Sequence, residues 1–144
     1  MANIAQAVDQ DLLDVLALLK EVNLPVEGVA DHLRYFFVAQ EGHRIVGCAG
    51  IEIYKDVGLI RSVAIHPSFQ GHGLGRKLVE RIHSFAIQKD LKEIYLITDT
   101  AKQFFAKLSY VVIPRDHVDP KIKQSIEFTL VCATSGVCMV KTLK

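Results

Sequence analysis

The run Gln70-Gly71-His72-Gly73-Leu74-Gly75-Arg76 constrains this chain more than any other segment. It stands between an apolar, β-branched stretch, Leu59 to Ile65, and an amphipathic stretch that begins near Leu74. Glycines this close together let backbone pass near a ligand without Cβ clashes. A helix starting at Leu74 would aim its unpaired N–H groups, and the positive end of its dipole, at one spot. Such a spot suits a phosphate or pyrophosphate. The run lacks the Gly-Lys-Ser/Thr ending of a P-loop and the glycine spacing of a dinucleotide fingerprint. Read alone, it is equally a tight turn that binds nothing. Its flanks favour a strand–loop–helix unit. Pro67 ends the strand. The helix carries Leu74, Leu78, Val79, Ile82, Phe85 and Ala86 on one side, and Arg76, Lys77, Glu80, Arg81 and Ser84 largely on the other.

The chain has 144 residues, half of them hydrophobic, which predicts one domain over residues 1–144 with a real core and excludes disorder. A formal net charge of +1 argues against a nucleic-acid footprint. No apolar run approaches the roughly 20 residues of a membrane span, and no signal peptide opens the chain. Three cysteines, an odd count, point to a reducing compartment, so the expected location is cytoplasmic.

Hydropathy patterning gives the order of elements. Asn3 to Ala7 reads as a short strand. Asp9 is placed to cap a helix from Gln10 to about Val22, ended by Asn23-Leu24-Pro25. Val26 to Leu33 reads as a second helix. Tyr35–Glu41, Arg44–Tyr54 and Leu59–Ile65 read as an antiparallel meander, with Gly42 in the first turn and Asp56 to Gly58 in the second. After the glycine loop and long helix, Lys92–Thr98 reads as a strand parallel to the Leu59 strand, because a helix crosses between them. A short helix over Lys102–Leu108, a strand over Tyr110–Ile113, a helix over Pro120–Val131 and a strand over Val137–Leu143 complete the chain.

The pattern Gln-x-x-Gly-x-Gly after Val63-Ala64-Ile65-His66-Pro67 resembles the acetyl-CoA signature of the GNAT superfamily of N-acetyltransferases. The resemblance covers nearly the whole chain. It implies an α/β GNAT fold: a mixed, mostly antiparallel sheet with a splayed parallel pair and helices on both faces. Leu59-Ile60-Arg61-Ser62-Val63, the stretch Thr98 to Tyr110, Arg115, Asp119-Pro120 and Ser135 to Lys141 also resemble the arsenic-resistance-associated GNAT enzymes. More loosely, they are similar to the acetyltransferase domain of bacterial amino-acid N-acetyltransferases such as N-acetylglutamate synthase.

The resemblance implies that backbone groups of Val63 and Ile65 bond the pantetheine arm of acetyl-CoA. The Val63 N–H would also bond the thioester oxygen, a one-donor oxyanion site. N–H groups of Gly71, His72, Gly73, Leu74, Gly75 and Arg76 would take the pyrophosphate, with Gln70 opening the loop and the Arg76 guanidinium adding charge. Some GNAT enzymes start this strand with a glutamate, but Val57-Gly58-Leu59 has no acid. The nearest carboxylate is Glu52. If Lys55 to Gly58 form the turn, Glu52 faces Arg61. The pair is either a cross-strand ion pair, or a base working through water (Glu52) beside an anchor for a substrate carboxylate (Arg61); one pair in a cleft can do both. Many relatives carry Phe-Tyr after the fifth strand, with the tyrosine protonating the leaving thiolate. Here Phe104-Phe105 stands there, and Phe105 has no proton to give. A thiol pKa of about 8.5 makes the acid dispensable. Tyr110 reads as core.

Arg115 is either a second carboxylate ligand or a solvated arginine. Thr98 and Thr100 either bond CoA or substrate, or cap the helix after Ala101. His66 reads as structural, and the His72 side chain is not required by the motif. Cys132 and Cys138 lack zinc-finger spacing and a histidine pair, so no metal is expected. The cysteines read as small buried hydrophobes, with a soft-ligand pocket for arsenicals as the alternative. Together these readings predict an acetyl-CoA-dependent N-acetyltransferase. Its acceptor would be a small amine, an amino acid or amino-acid-like compound, with an organoarsenical included. The alternatives are a protein-lysine acetyltransferase and a non-catalytic acyl-CoA sensor. Expected partners are the small amine and, optionally, a second copy in a homodimer, with no nucleic acid and no membrane.

Overall fold

A computed structural model of the protein describes residues 2–128 and 136–144. Seven strands form one sheet: β1 (Asn3–Gln6), β2 (Phe36–Glu41), β3 (Arg44–Tyr54), β4 (Val57–Ile65), β5 (Glu93–Thr98), β6 (Val111–Val112) and β7 (Val137–Thr142). Their spatial order is β1-β2-β3-β4-β5-β7-β6. β4 and β5 are the parallel pair, and the remaining neighbours run antiparallel. The helices are α1 (Leu12–Glu21), α2 (Val29–His32), α3 (Leu74–Gln88) and α4 (Lys102–Ala106). None among the described residues is long and apolar enough to cross a membrane.

The chain forms two compact units. The first comprises Met1–Ile51 and Ser62–Phe85. Its core gathers Val15, Leu18, Leu19, Val29, Leu33, Phe36, Val38, Cys48 and Ala64. α1 gives Val15, Leu18 and Leu19 to this core, while Leu13, which apolar spacing alone would also turn inward, stays 77% exposed. The cap differs from expectation. A 3₁₀ turn at Asp9–Asp11 precedes α1, and Asp11, not Asp9, takes the loose Val8 N–H at 2.9 Å. The second helix is shorter than expected, because Gly28 adopts φ +81° just before it and a 3₁₀ turn over Leu33–Tyr35 follows. α3 buries Leu78, Val79 and Ile82 completely, and Phe85 meets the ring of Phe37 edge-on at 5.5 Å. Gly50 on β3 has no side chain for a packing reason. A Cβ there would stand 2.3 Å from the Phe36 ring.

The second unit comprises Glu52–Arg61 and Ala86–Lys144. Val57, Leu59, Tyr95, Val118, Ile122 and Cys138 form its core. The turn between β3 and β4 is Lys55-Asp56, not the longer Lys55–Gly58 turn. Lys55 takes φ +59°, so the reversal needs no glycine and Gly58 joins β4. The parallel register covers Val57↔Glu93, Gly58↔Ile94 and Leu59↔Tyr95. Among the described residues the pairing stops there, although β4 continues to Ile65 and β5 to Thr98. β5 instead pairs along its whole length with β7, from Glu93↔Thr142 to Thr98↔Val137. The strand expected over Tyr110–Ile113 is only Val111–Val112, because Tyr110 turns inward and packs edge-on to Phe105 at 5.5 Å. The helix expected over Pro120–Val131 is corrected as well. Its first part is a 3₁₀ turn at Ile122–Gln124, with helical backbone at residues 126–128. The rest of that expected helix, with Cys132, lies outside the described residues.

Candidate active site

β4 delivers the chain to the glycine loop through a 3₁₀ turn, Pro67–Phe69, capped by the His66 ring, whose Nδ1 accepts the Ser68 N–H at 3.1 Å. His66 is therefore structural here, and its Nε2 lies 3.1 Å from Glu21 Oε2. Gln70 arches back and donates from its side chain to the Ile65 carbonyl at 3.0 Å. This bond ties the start of the loop to the end of the strand. Gly71 and Gly73 adopt φ +84° and +80°, a region that L-residues enter only under strain. A Cβ at either position would meet nothing within 4 Å, so the loop backbone is open to an approaching group. Glycine is needed here for conformation and access, not for packing.

α3 begins at Leu74, and its first turn contains Gly75, Arg76 and Lys77 but no acid. Two cations at the positive end of a helix dipole are unfavourable for the helix itself and favourable for a bound anion. Arg76 is exposed and pairs with Glu80 at 3.2 Å. Such a surface pair contributes about 0–1 kcal/mol, so the guanidinium can exchange Glu80 for a phosphate at little cost. His72 is exposed in the loop. The loop thus combines open backbone with positive charge, which suits an anionic group.

Upstream of the loop, β4 is irregular. Ser62 has φ +58° in mid-strand. That conformation interrupts the alternation of side chains. Period-two counting therefore does not carry across Ser62. The Ser62 carbonyl accepts the Cys48 thiol at 3.2 Å. Val63 and Ile65 are partly exposed, whereas Ala64 between them is buried.

In the second unit, Glu52 and Arg61 are in contact. Arg61 Nη1 donates to Glu52 Oε2 at 2.8 Å, and the Tyr54 hydroxyl donates to Glu52 Oε1 at 2.5 Å. Because the turn is shorter than expected, the register argument for this pair does not hold. A diagonal reach by the long arginine side chain accounts for the contact. Glu127 Oε2 lies 3.9 Å from Arg61 Nη2. The Ser125 hydroxyl bonds Tyr54 and receives the Glu127 N–H at 3.1 Å. Burial, together with the adjacent Glu52 carboxylate, pushes the Tyr54 phenol above its ordinary range. Tyr54 also lines a surface pocket with Lys55, Lys121 and Gln124. Tyr54 and Glu127 are the part of this cluster that sequence reasoning did not assign; the Ser125 region resembles a substrate-side segment of the related enzymes. A lone glutamate inside the apolar run Ile126-Glu127-Phe128 was the available signal.

Other candidates have local duties. The Thr98 hydroxyl accepts the Ala101 N–H at 3.0 Å at the start of α4. Thr100 is exposed. Arg115 donates to the Gly136 carbonyl at 3.3 Å and stacks over the Phe128 ring at 5.0 Å, so it is not a solvated loop arginine. Phe105 and Tyr110 are core, and burial pushes the Tyr110 phenol well above its usual pKa. The described residues contain no group of His, Cys, Asp and Glu able to hold a metal.

Comparison with known proteins bears on this arrangement. Residues 32–112 match the family described as acetyltransferase (GNAT) domain. An uncharacterized N-acetyltransferase from Chlorobaculum tepidum is 31% identical over 120 residues, covering 82% of this chain and 77% of that protein. An amino-acid acetyltransferase from Mycobacterium tuberculosis is 30% identical, covering 72% of this chain and 62% of that protein. The N-acetylglutamate synthase from Neisseria gonorrhoeae, solved with coenzyme A and N-acetyl-glutamate, superposes with a TM-score of 0.84 at 20% identity. That likeness covers all of this chain but only 35% of the synthase. Similarity of sequence and similarity of fold agree: the chain belongs to the GNAT acetyltransferase family and is an acyltransferase with acetyl-CoA as cosubstrate.

Proposed function

We propose that the acceptor is a small amine with a free carboxylate beside it: an amino acid or an amino-acid-like compound, organoarsenical amino acids included. The observation that carries this reading is Arg61, a buried guanidinium on β4 two residues before Val63. A guanidinium is the side chain best matched to a carboxylate, which it grips by two parallel hydrogen bonds. Arg61 donates to Glu52 at 2.8 Å and lies 3.9 Å from Glu127. An incoming carboxylate would join these contacts or exchange with the longer one. The mycobacterial relative, named as an amino-acid acetyltransferase, supports the same class.

In this reading the glycine-loop N–H groups hold the pyrophosphate, and Val63 and Ile65 bond the pantetheine arm through their backbones. The Val63 N–H polarises the thioester carbonyl, which concentrates negative charge on its oxygen in the transition state. Glu52 accepts the proton of the attacking amine through a water and keeps Arg61 in place. The thiolate leaves without a tyrosine acid. The same reading gives Thr98 and Thr100 to CoA or the acceptor and Arg115 to the carboxylate; the Thr98 proton is available because its oxygen is the atom used at Ala101.

The test compares each amino acid with its amide or methyl ester in a thiol-release assay. Acids are expected to react, and neutral derivatives to show a Michaelis constant raised about tenfold or more, the worth of one charge-assisted hydrogen bond. Arg61→Lys is expected to raise the constant for the acids and leave that for acetyl-CoA unchanged. Equal rates for acid and amide would shift the assignment to a protein-lysine or amine-only acceptor. Binding of acetyl-CoA with no thiol release for any amine would indicate a sensor.

A further inference from the structure

Ser62 and Val63 share one peptide bond. Its carbonyl and its N–H lie in one plane and point in opposite directions. The thiol of Cys48 donates to that carbonyl at 3.2 Å, and Cys48 itself is completely buried on β3. Whatever fixes the Ser62 carbonyl also fixes the direction of the Val63 N–H.

We propose that Cys48 is a positioning residue for acetyl transfer: its thiol aims and polarises the Ser62–Val63 peptide so that the Val63 N–H meets the thioester oxygen. The inference rests on the reading of that N–H as the oxyanion donor. Three observations make the thiol the right group. First, Ser62 is held at φ +58°, a conformation that costs about 1–2 kcal/mol for a residue with a Cβ. The peptide would relax toward ordinary strand geometry unless neighbours hold it. Second, an S–H donor is weak, but with Cys48 at 0% and Ser62 at 9% exposure water competes little for this bond. Third, a donor on the carbonyl draws electron density from the amide and makes the N–H at the other end a better donor, as in any hydrogen-bonded amide chain. A small apolar residue would fill the same space on β3 without supplying this bond.

A structural cysteine and a positioning cysteine differ in what their variants do. Cys48→Ala removes the donor, and Cys48→Ser keeps one of similar size. The measurements are kcat, the Michaelis constant for acetyl-CoA, the melting temperature, and the thioester carbonyl stretch of bound ¹³C-acetyl-CoA by difference infrared spectroscopy. Losing an oxyanion donor outright costs roughly 10²–10³-fold in kcat, so loosening one is expected to cost about 3–10-fold. Cys48→Ala should therefore lower kcat by about that factor, leave the acetyl-CoA Michaelis constant within about twofold, and move the bound stretch back toward its solution value. Cys48→Ser should restore both kcat and the stretch. A wild-type stretch shifted from solution and unchanged in Cys48→Ala would overturn the role of Cys48 while leaving Val63 as donor. A wild-type stretch identical to that of free acetyl-CoA would overturn the oxyanion reading, and the role of Cys48 with it. Equal losses of kcat in the Ala and Ser variants, following melting temperature, would make Cys48 a packing residue only.

Discussion

Arg61 donates to Glu52 at 2.8 Å, and their side chains are 0% and 1% exposed. Two buried charges in contact stabilise little relative to an apolar pair, yet removing one of them is costly because the other stays buried. Glu52→Ala is therefore expected to lose roughly 3–5 kcal/mol of stability in a denaturant titration. Glu52→Gln retains shape and polarity, so it should fold. If Glu52 accepts the amine proton, its turnover should fall by about 10²-fold or more while CoA affinity holds, and the acidic limb of the pH–rate profile should disappear. Wild-type turnover in Glu52→Gln at every pH would reduce Glu52 to a holder of Arg61.

Gly73 separates ligand binding from folding. Its φ of +80° penalises any side chain, while the space above it is open. Gly73→Val combines backbone strain with a branched group over the loop N–H donors. Affinity for CoA is expected to fall at least about tenfold, with the loop strained by about 1–2 kcal/mol and the circular dichroism spectrum retained. Isothermal titration gives the affinity, and unchanged binding by a folded variant would remove the pyrophosphate from this loop.

Gly50 does the opposite, since it lies in a sheet and touches no proposed ligand. Gly50→Ala would press a methyl group to within 2.3 Å of the Phe36 ring. Overpacking of this kind costs about 1–3 kcal/mol. A double-mutant cycle with Phe36→Leu should recover part of the loss, because the smaller side chain vacates the space the methyl needs. Strict additivity would show that the cost arises elsewhere.

Tyr110 makes stability depend on alkaline pH. Burial raises its folded pKa, whereas the unfolded phenol titrates near its ordinary value of about 10. Its contribution is present in full below about pH 10 and is lost as pH rises toward the folded value, because the unfolded state then releases the proton first. Tyr110→Phe should flatten the fall in stability above pH 10, measured by urea titration at a series of pH values. A curve parallel to wild type would mean that another group governs alkaline unfolding.

The sequence by itself determined the strand–loop–helix unit at Leu59–Gln88, because period-two apolarity, a proline stop, clustered glycines and a 3.6-residue stripe are local signals that agree with one another. It determined the parallel partner of β4 as well, since a crossover helix leaves little choice. It also brought Glu52 and Arg61 together, though by a turn count that was two residues too long. What only the tertiary structure decided depends on contacts between segments distant in the chain. The left-handed Ser62 in mid-strand carries no local signal, for serine rarely adopts that conformation and holds it here with Cys48 14 residues away. The two-residue turn was hidden because Lys55, not a glycine, takes the positive φ. Tyr54, Ser125 and Glu127 converge on the Glu52–Arg61 pair from segments some 70 residues apart, so no spacing rule could have joined them. The burial that pairs these charges, and makes their removal costly, exists only after the fold has brought them out of water.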